Sequence, residues 1–472
     1  MKTKFKSILK NISYSFSVNL LSALISAMMI LLLPKVMSAE DYGAWQLYLF
    51  FLSYVGFFHF GWIDGIYLRY GGIEYNALNK RTFSGQFYAL AIMVSTIASV
   101  FIVFAIFFTT KEITRNALQM VSVVGVFVIL TTFTNFILQF TSRIKDYARL
   151  IFYERMLFFL IIVSYVVMGR TEYEGMLWVS FSTRLLALIY AGFLIKEIIG
   201  SKLDHLSNVV KEAIININVG SKLMIANIAG MLLLGIIRLG ISQQWDIVTF
   251  GKVSLTLNVS NFLMIFISSI SIVLFPILKR TDESQLPQIY MILRNCLTVV
   301  LLGLLIIYYP IKVVMSIWLP KYADSLVYMA VLFPVCLFES KVSMLINTYL
   351  KSLRQEQLLL RINSISVIVS LFFTMVTVYW LHDLDMAVIS IVAVFAFRCM
   401  LAEYFLGLHL NLNLYKDMCL DSIMVIWFIG INWFFDNWWS MGWYMAAYVL
   451  YLWVKKDDLR KVIAISGEYV RK

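Results

Sequence analysis

Apolar runs of about twenty residues, each the length a helix needs to cross a bilayer, recur from Ile12 to Val454 with short polar breaks between them. About fourteen such spans can be marked. The first six run Ile12–Leu33, Tyr42–Trp62, Gln86–Thr109, Ala117–Phe140, Leu150–Met168 and Gly175–Ile195. The next six run Ser221–Ile241, Thr249–Phe275, Asn295–Leu319, Leu326–Leu350, Ile362–Leu381 and Met386–Leu408. A short, close pair follows, Ser422–Phe435 and Trp438–Val454, for which a re-entrant hairpin stays open. Barrel strands would be about ten residues of alternating polarity, whereas these runs are apolar on every face, so the pattern predicts an all-α polytopic membrane protein. With 61% hydrophobic residues, 14% charged and a mean hydropathy of +0.83, almost every segment must face lipid or another membrane helix.

Lysine and arginine set the expected topology, because cytoplasmic loops retain positive charge during insertion. Alternate loops hold the clusters: Lys2 to Lys10; Arg69, Lys80 and Arg81; Arg143, Lys145 and Arg149; Lys196 to Lys222; Lys279, Arg280 and Arg294; Lys351, Arg354 and Arg361; and the tail from Lys455. Both termini are therefore expected in the cytoplasm. Tryptophans at the opposite ends, Trp45, Trp178, Trp318, Trp380, Trp438 and Trp439 among them, read as an aromatic belt at headgroup depth. The net charge of +12 is spread over these loops, where it meets anionic lipid instead of nucleic acid. The first span is too long for a signal-peptide core, so the N-terminus is expected to stay uncleaved. Cys296, Cys336, Cys399 and Cys419 have no metal-ligand spacing and read as inert packing residues.

The longest break, from Lys196 to about Gly220, divides the chain into six-span halves. The expected organisation is an N-terminal lobe over 1–200, a cytoplasmic linker over 201–220, a C-terminal lobe over 221–410, and a terminal helix pair with a basic tail over 411–472. The halves begin alike, since Asn19-Leu20 matches Asn227-Ile228. At the same offset, Asp41-Tyr42-Gly43-Ala44-Trp45 matches Thr249-Phe250-Gly251-Lys252-Val253. Six crossings return the chain to its starting side, so such repeats would be parallel and pseudo-twofold, an architecture of transporters. A shared grammar of membrane entry, a polar turn and a glycine before a helix, is the alternative origin.

The sequence contains no GxxxxGK[ST] phosphate loop, no HExxH zinc pair and no GxSxG elbow, which argues against an enzyme and leaves an ion gradient or downhill flow as driving force. Chemistry is then sought among charges inside the spans, where a central arginine or lysine costs about 2.5–3.5 kcal/mol even on insertion scales and so tends to face a cavity. Arg184 lies near the middle of the sixth span, Arg398 near the middle of the twelfth, and Glu339 and Lys341 in the tenth. Arg238 sits in the outer half of the seventh and Lys312 in the outer part of the ninth. Arginine suits phosphate, because its fork donates in parallel to two oxygens and stays charged. These cations therefore predict an anionic substrate. Glu339, Asp64 and Glu403 are candidates for H⁺ or Na⁺ coupling, with His59 one turn before Asp64 as a pH-sensitive partner. The competing readings are a packing histidine at 59, a Glu403 paired with a neighbouring cation, and a Lys312 that snorkels to headgroups. Pro276, Pro310 and Pro334 permit bends, the last little more than a turn before Glu339.

Several stretches resemble the polysaccharide repeat-unit flippases (Wzx-like) of the multidrug/oligosaccharidyl-lipid/polysaccharide (MOP) exporter superfamily. A basic start with Asn19 is followed by Ala39-Glu40-Asp41-Tyr42-Gly43-Ala44-Trp45, similar to that family's acidic-x-G-x-[WY] lead-in to the second helix. Gly61 through Gly72, GWIDGIYLRYGG, is similar to its glycine-to-LRY stretch. Arg238 to Ser242 and Phe250 to Ser254 resemble its D-R-x-x-[IL]…[GA]-x-Y-[SA] segment, with Ile237 at the acidic position and Val253 at the tyrosine. The resemblance implies two lobes with alternating access that move an undecaprenyl-pyrophosphate-linked oligosaccharide across the bacterial cytoplasmic membrane for capsule, O-antigen or exopolysaccharide assembly. It further implies the polymerase and glycosyltransferases of that pathway as partners and no cofactor beyond a coupling ion. A lipid-linked peptidoglycan precursor flippase ranks second, a MATE-type ion-coupled antiporter third, and a membrane polymerase or ligase, for which no large outer loop is predicted, last.

Overall fold

The computed structural model describes residues 21–460 apart from 23, 281, 354 and 436. Lys2 to Lys10, Asn19, Arg354, the tail beyond 460, and the side chains of Pro276, Lys279 and Arg280 lie outside the described residues. Every described element is helical, as a chain in lipid requires when its backbone groups must be satisfied within each segment. Nine described helices are long and apolar enough to cross a membrane, or up to eleven if each of two bent pairs forms one crossing.

Two compact units are distinguished, Met1–Ile228 and Ala229–Lys472. The first contains α1 (Leu24–Val36), α2 (Ala39–His59), α3 (Trp62–Tyr70), α4 (Lys80–Phe108), α5 (Glu112–Phe140), α6 (Ile144–Val167), α7 (Tyr173–Leu194) and the start of α8 (Leu206–Gln244). Its core lies along α5, which packs against α2, α4 and α7. The second contains the rest of α8, α9 (Ile247–Arg280), α10 (Leu286–Trp318), α11 (Pro320–Leu332), α12 (Val335–Ser352), α13 (Gln357–Trp380), α14 (Leu384–His409), α15 (Tyr415–Phe434) and α16 (Trp439–Val454). Here α14 is central, against α11, α12 and α13.

Residues 206–220, read as linker from the sequence, are helical and form the start of the 39-residue α8. No glycine or proline interrupts Leu206 to Val219, so nothing local stops the helix.

The matching lead-ins of the two halves are helix caps. Ser38 Oγ accepts the Asp41 N–H at 3.0 Å, a side-chain N-cap for α2, and its hydroxyl donates to Asp41 Oδ2 at 2.6 Å. Asp41 Oδ1 also accepts the Tyr173 N–H at 2.9 Å, tying the start of α7 to that of α2. At the same offset as the sequence match, Asp246 Oδ1 accepts the Thr249 N–H at 2.8 Å and caps α9. Asp41→Ala removes both ties in the first unit and is expected to cost about 1–2 kcal/mol. Ser38→Ala should cost about half of that in detergent-solubilised thermal unfolding.

Trp45 corrects the belt assignment. It lies two turns inside α2, 1% exposed, stacked between Tyr48 at 5.2 Å and Phe158 of α6 at 6.2 Å, because the helix, capped by Ser38, starts at Ala39. Trp178, Trp318, Trp380, Trp438 and Trp439 are exposed.

Between α2 and α3 the chain breaks at Phe60 (φ 50°) and Gly61 (φ 81°), and the two helices meet at 58°. The GWIDGIYLRYGG segment beyond the break is a clamp on α8. A Cβ at Gly65 would stand 1.9 Å from the Asn216 carbonyl oxygen, and one at Gly220 would stand 2.0 Å from that of Gly61. Arg69 Nη1 donates to Glu212 Oε2 at 2.7 Å and to Asn216 Oδ1 at 2.5 Å, and the Tyr70 hydroxyl donates to Glu212 at 3.1 Å. Below them Gln86 Oε1 accepts from Asn216 Nδ2 at 2.7 Å and Trp62 Nε1 at 3.0 Å.

Candidate functional site

α14 is apolar on nearly every face, yet its middle carries Arg398, 4% exposed. Three elements meet it. Nε donates to Asn363 Oδ1 of α13 at 3.0 Å, and Nη1 donates to Glu339 Oε2 of α12 at 2.7 Å. Beside Nη2 runs α8 at Gly230, where a Cβ would be 3.6 Å away. Nη2 makes no hydrogen bond among the described residues, and Glu339 keeps 26% of its side chain exposed. The pair thus joins an anchored guanidinium to a carboxylate on a partly exposed side chain.

The helix holding Glu339 is deformed on both sides. Pro334 follows a 43° bend between α11 and α12, and Lys341–Ile346 form a π-helical turn. Such turns widen a helix locally and recur at functional positions. Glu339 and Lys341, two residues apart and so on different helix faces, meet different neighbours.

Lys341 enters a second, closed cluster. Its Nζ lies 2.7 Å from Glu403 Oε1 and 2.9 Å from Asp421 Oδ2. Arg294 of α10 bridges the same carboxylates, Nε to Glu403 Oε1 at 2.9 Å, Nη2 to Glu403 Oε2 at 3.1 Å and to Asp421 Oδ2 at 2.7 Å. The Tyr451 hydroxyl donates to Asp421 Oδ1 at 3.1 Å, and Lys455 pairs with Asp417 at the edge. The four central side chains are at most 3% exposed, and their charges cancel. Glu403 is therefore paired with cations, one of the two readings open from sequence. Arg294, assigned to a cytoplasmic loop, is fully buried because α10 starts at Leu286, two turns before the expected span.

In the first unit, Arg184 of α7 pairs with Glu154 of α6. Arg155, the next residue on α6, is within electrostatic reach of both. One turn along α7, Ser180 Oγ shares a 2.7 Å hydrogen bond with the Tyr48 hydroxyl. Arg184 lies on α7 and Arg398 on α14, the sixth and twelfth spans expected from the sequence.

The remaining candidates lie apart from these pairs. His59 is buried at the α2–α3 break, where its Nδ1 accepts the Gly61 N–H at 3.1 Å and its Nε2 lies 3.9 Å from Asp64. Arg238 donates to Ser254 Oγ at 3.0 Å and stands over the Phe250 ring. Lys312 stands over the Tyr308 ring. No group of three metal-ligating side chains is brought together among the described residues.

Sequence reasoning missed Glu154, Asn363, Arg294 and Asp421. Glu154 had one signal, an acid in the span before Arg184; the neutral Asn363 had none.

No family profile matches the sequence, and no curated protein is significantly similar to it. Solved structures share the fold. An inward-facing multidrug resistance MATE family transporter of the MOP superfamily is similar over 85% of this chain and 98% of its own, at 9% identity and a TM-score of 0.64. The lipid II flippase MurJ, in an inward closed conformation, is similar over 94% of this chain and 99% of its own, at 11% identity and a TM-score of 0.63. The chain shares its fold with these MOP-superfamily transporters.

Proposed function

We propose that this protein flips an undecaprenyl-pyrophosphate-linked oligosaccharide from the inner to the outer leaflet of the bacterial cytoplasmic membrane by alternating access, holding the pyrophosphate on mid-membrane arginines. Arg398 carries the reading. Its guanidinium is anchored through Nε, it keeps Nη2 unused among the described residues, and its acid partner is the partly exposed Glu339. A pyrophosphate oxygen can take the place of the Glu339 carboxylate, since both groups offer anionic oxygens to the planar fork of arginine. A membrane carboxylate parted from its arginine is costly as a bare charge, so Glu339 then takes up H⁺ or Na⁺. Substrate binding and ion uptake are coupled through one exchange of partners. In the first unit Arg155 lies within electrostatic reach of the Arg184–Glu154 pair, which supports Arg184 as a further cationic candidate.

A lipid-linked peptidoglycan precursor is the second reading, favoured by the likeness to the lipid II flippase over nearly all of both chains. It uses the same pyrophosphate chemistry and differs in the sugar.

The test is binding of undecaprenyl pyrophosphate to the purified protein by native mass spectrometry. Arg398→Ala removes charge-assisted hydrogen bonds of about 1.5–3 kcal/mol, so affinity should fall about 10- to 100-fold. Glu339→Gln removes the competitor and should tighten binding. The double variant Arg398→Ala/Glu339→Ala leaves no orphaned charge and should unfold like wild type while still binding poorly. Unchanged affinity in Arg398→Ala removes the basis of the reading.

A further inference from the structure

A cleft of about 490 Å³ in the first unit lies outside every group of residues described above. It runs between α5 and α7, with Ile102 near the end of α4 as a third wall. Both long walls are stripes at helical spacing. On α5 the stripe passes from Asn116 and Gln119 to Met120 and Val123, and on α7 from Glu174 to Trp178 and Phe181. Each stripe is polar where its helix begins and apolar deeper in. That gradient fits an amphiphile with its head at the membrane surface and its chains along the helices.

The polar side chains are unused. Asn116, Gln119 and Glu174 make no side-chain hydrogen bond or ion pair among the described residues. The lining holds one carboxylate and no cation, so a purely anionic head meets repulsion there. The exposed indole of Trp178, one turn from Glu174, offers a ring face that attracts ammonium groups. The two carboxamides can donate to a phosphate.

We propose that this cleft binds an aminophospholipid of the surrounding bilayer, of the phosphatidylethanolamine type. Its ammonium lies between Glu174 and Trp178, its phosphate at Asn116 and Gln119, and its acyl chains on Met120, Val123 and Phe181. The site is independent of the arginine pairs and does not rest on the flippase reading.

The experiment is a native mass spectrometry titration of delipidated full-length protein with short-chain phosphatidylethanolamine, phosphatidylglycerol and tetraphenylphosphonium. Phosphatidylethanolamine should bind at least tenfold more tightly than phosphatidylglycerol. Glu174→Gln and Trp178→Ala should each erase most of that preference while leaving phosphatidylglycerol binding unchanged. Both side chains are exposed, so the variants should unfold at the wild-type temperature. Equal binding of the two lipids, or a preference that survives Glu174→Gln, overturns the proposal. Tighter binding of tetraphenylphosphonium than of the aminolipid also overturns it, by making the cleft a site for lipophilic cations.

Discussion

Arg294→Ala is expected to destabilise the second unit by about 3–5 kcal/mol, the cost of leaving buried charge uncompensated. Arg294 is fully buried and makes hydrogen bonds to both Glu403 and Asp421, and Lys341 alone cannot neutralise two carboxylates. The loss comes from the orphaned acids more than from the missing contact. A stated consequence separates the two. Replacing the whole quartet with neutral residues of similar size, Arg294→Met, Lys341→Met, Glu403→Gln and Asp421→Asn together, should be far less damaging than Arg294→Ala alone. Unfolding of purified protein in mixed micelles checks this. A quartet variant weaker than the single one would mean that the ion pairs themselves stabilise the fold.

Gly65→Ala should be comparably severe. The new methyl group would stand 1.9 Å from the Asn216 carbonyl oxygen and 2.5 Å from its carbon. These are helix backbone atoms and cannot turn aside, so α3 must move away from α8. The shift would break the Arg69 contacts to Glu212 and Asn216 and the buried amide of Gln86. Overpacking costs about 1–3 kcal/mol, and the lost hydrogen bonds add to it. Gly430→Ala on α15 is the control, since a Cβ there meets nothing within 4 Å. Alanine should be neutral or stabilising by up to about 1 kcal/mol at that helical position.

The greasy runs made the helices legible, because length and uniform apolarity leave a membrane chain few alternatives. Arg398, Glu339, Arg184 and Lys341 were legible as charges inside those runs. Their pairings were not, since partners come from different helices: Asn363 and Arg398 lie on consecutive ones, and four helices lie between those that carry Arg294 and Asp421. Helix ends caused the clearest errors. Apolar content alone begins the ninth span at Asn295 and leaves Arg294 in a loop, whereas the helix starts at Leu286 with Pro287 in its first turn. Trp45 was misplaced in the same way, because the Ser38 cap starts α2 at Ala39, before the expected span. The Gly61-x-x-x-Gly65 spacing did carry a physical signal, two small residues one turn apart, one at the break and one in α3, that let another backbone approach. Its partner, Gly220, lay in the stretch read as linker.

The flippase account is tested most directly by transport of a fluorescent undecaprenyl-pyrophosphate oligosaccharide in proteoliposomes under imposed H⁺ and Na⁺ gradients, with wild type, Arg184→Ala, Arg398→Ala and Glu339→Gln. The account predicts gradient-driven movement by wild type and its loss in well-folded Arg184→Ala and Arg398→Ala. In Glu339→Gln, movement should no longer respond to the coupling ion. Extrusion of a small lipophilic cation by a wild type that moves no lipid-linked glycan under either gradient would contradict it.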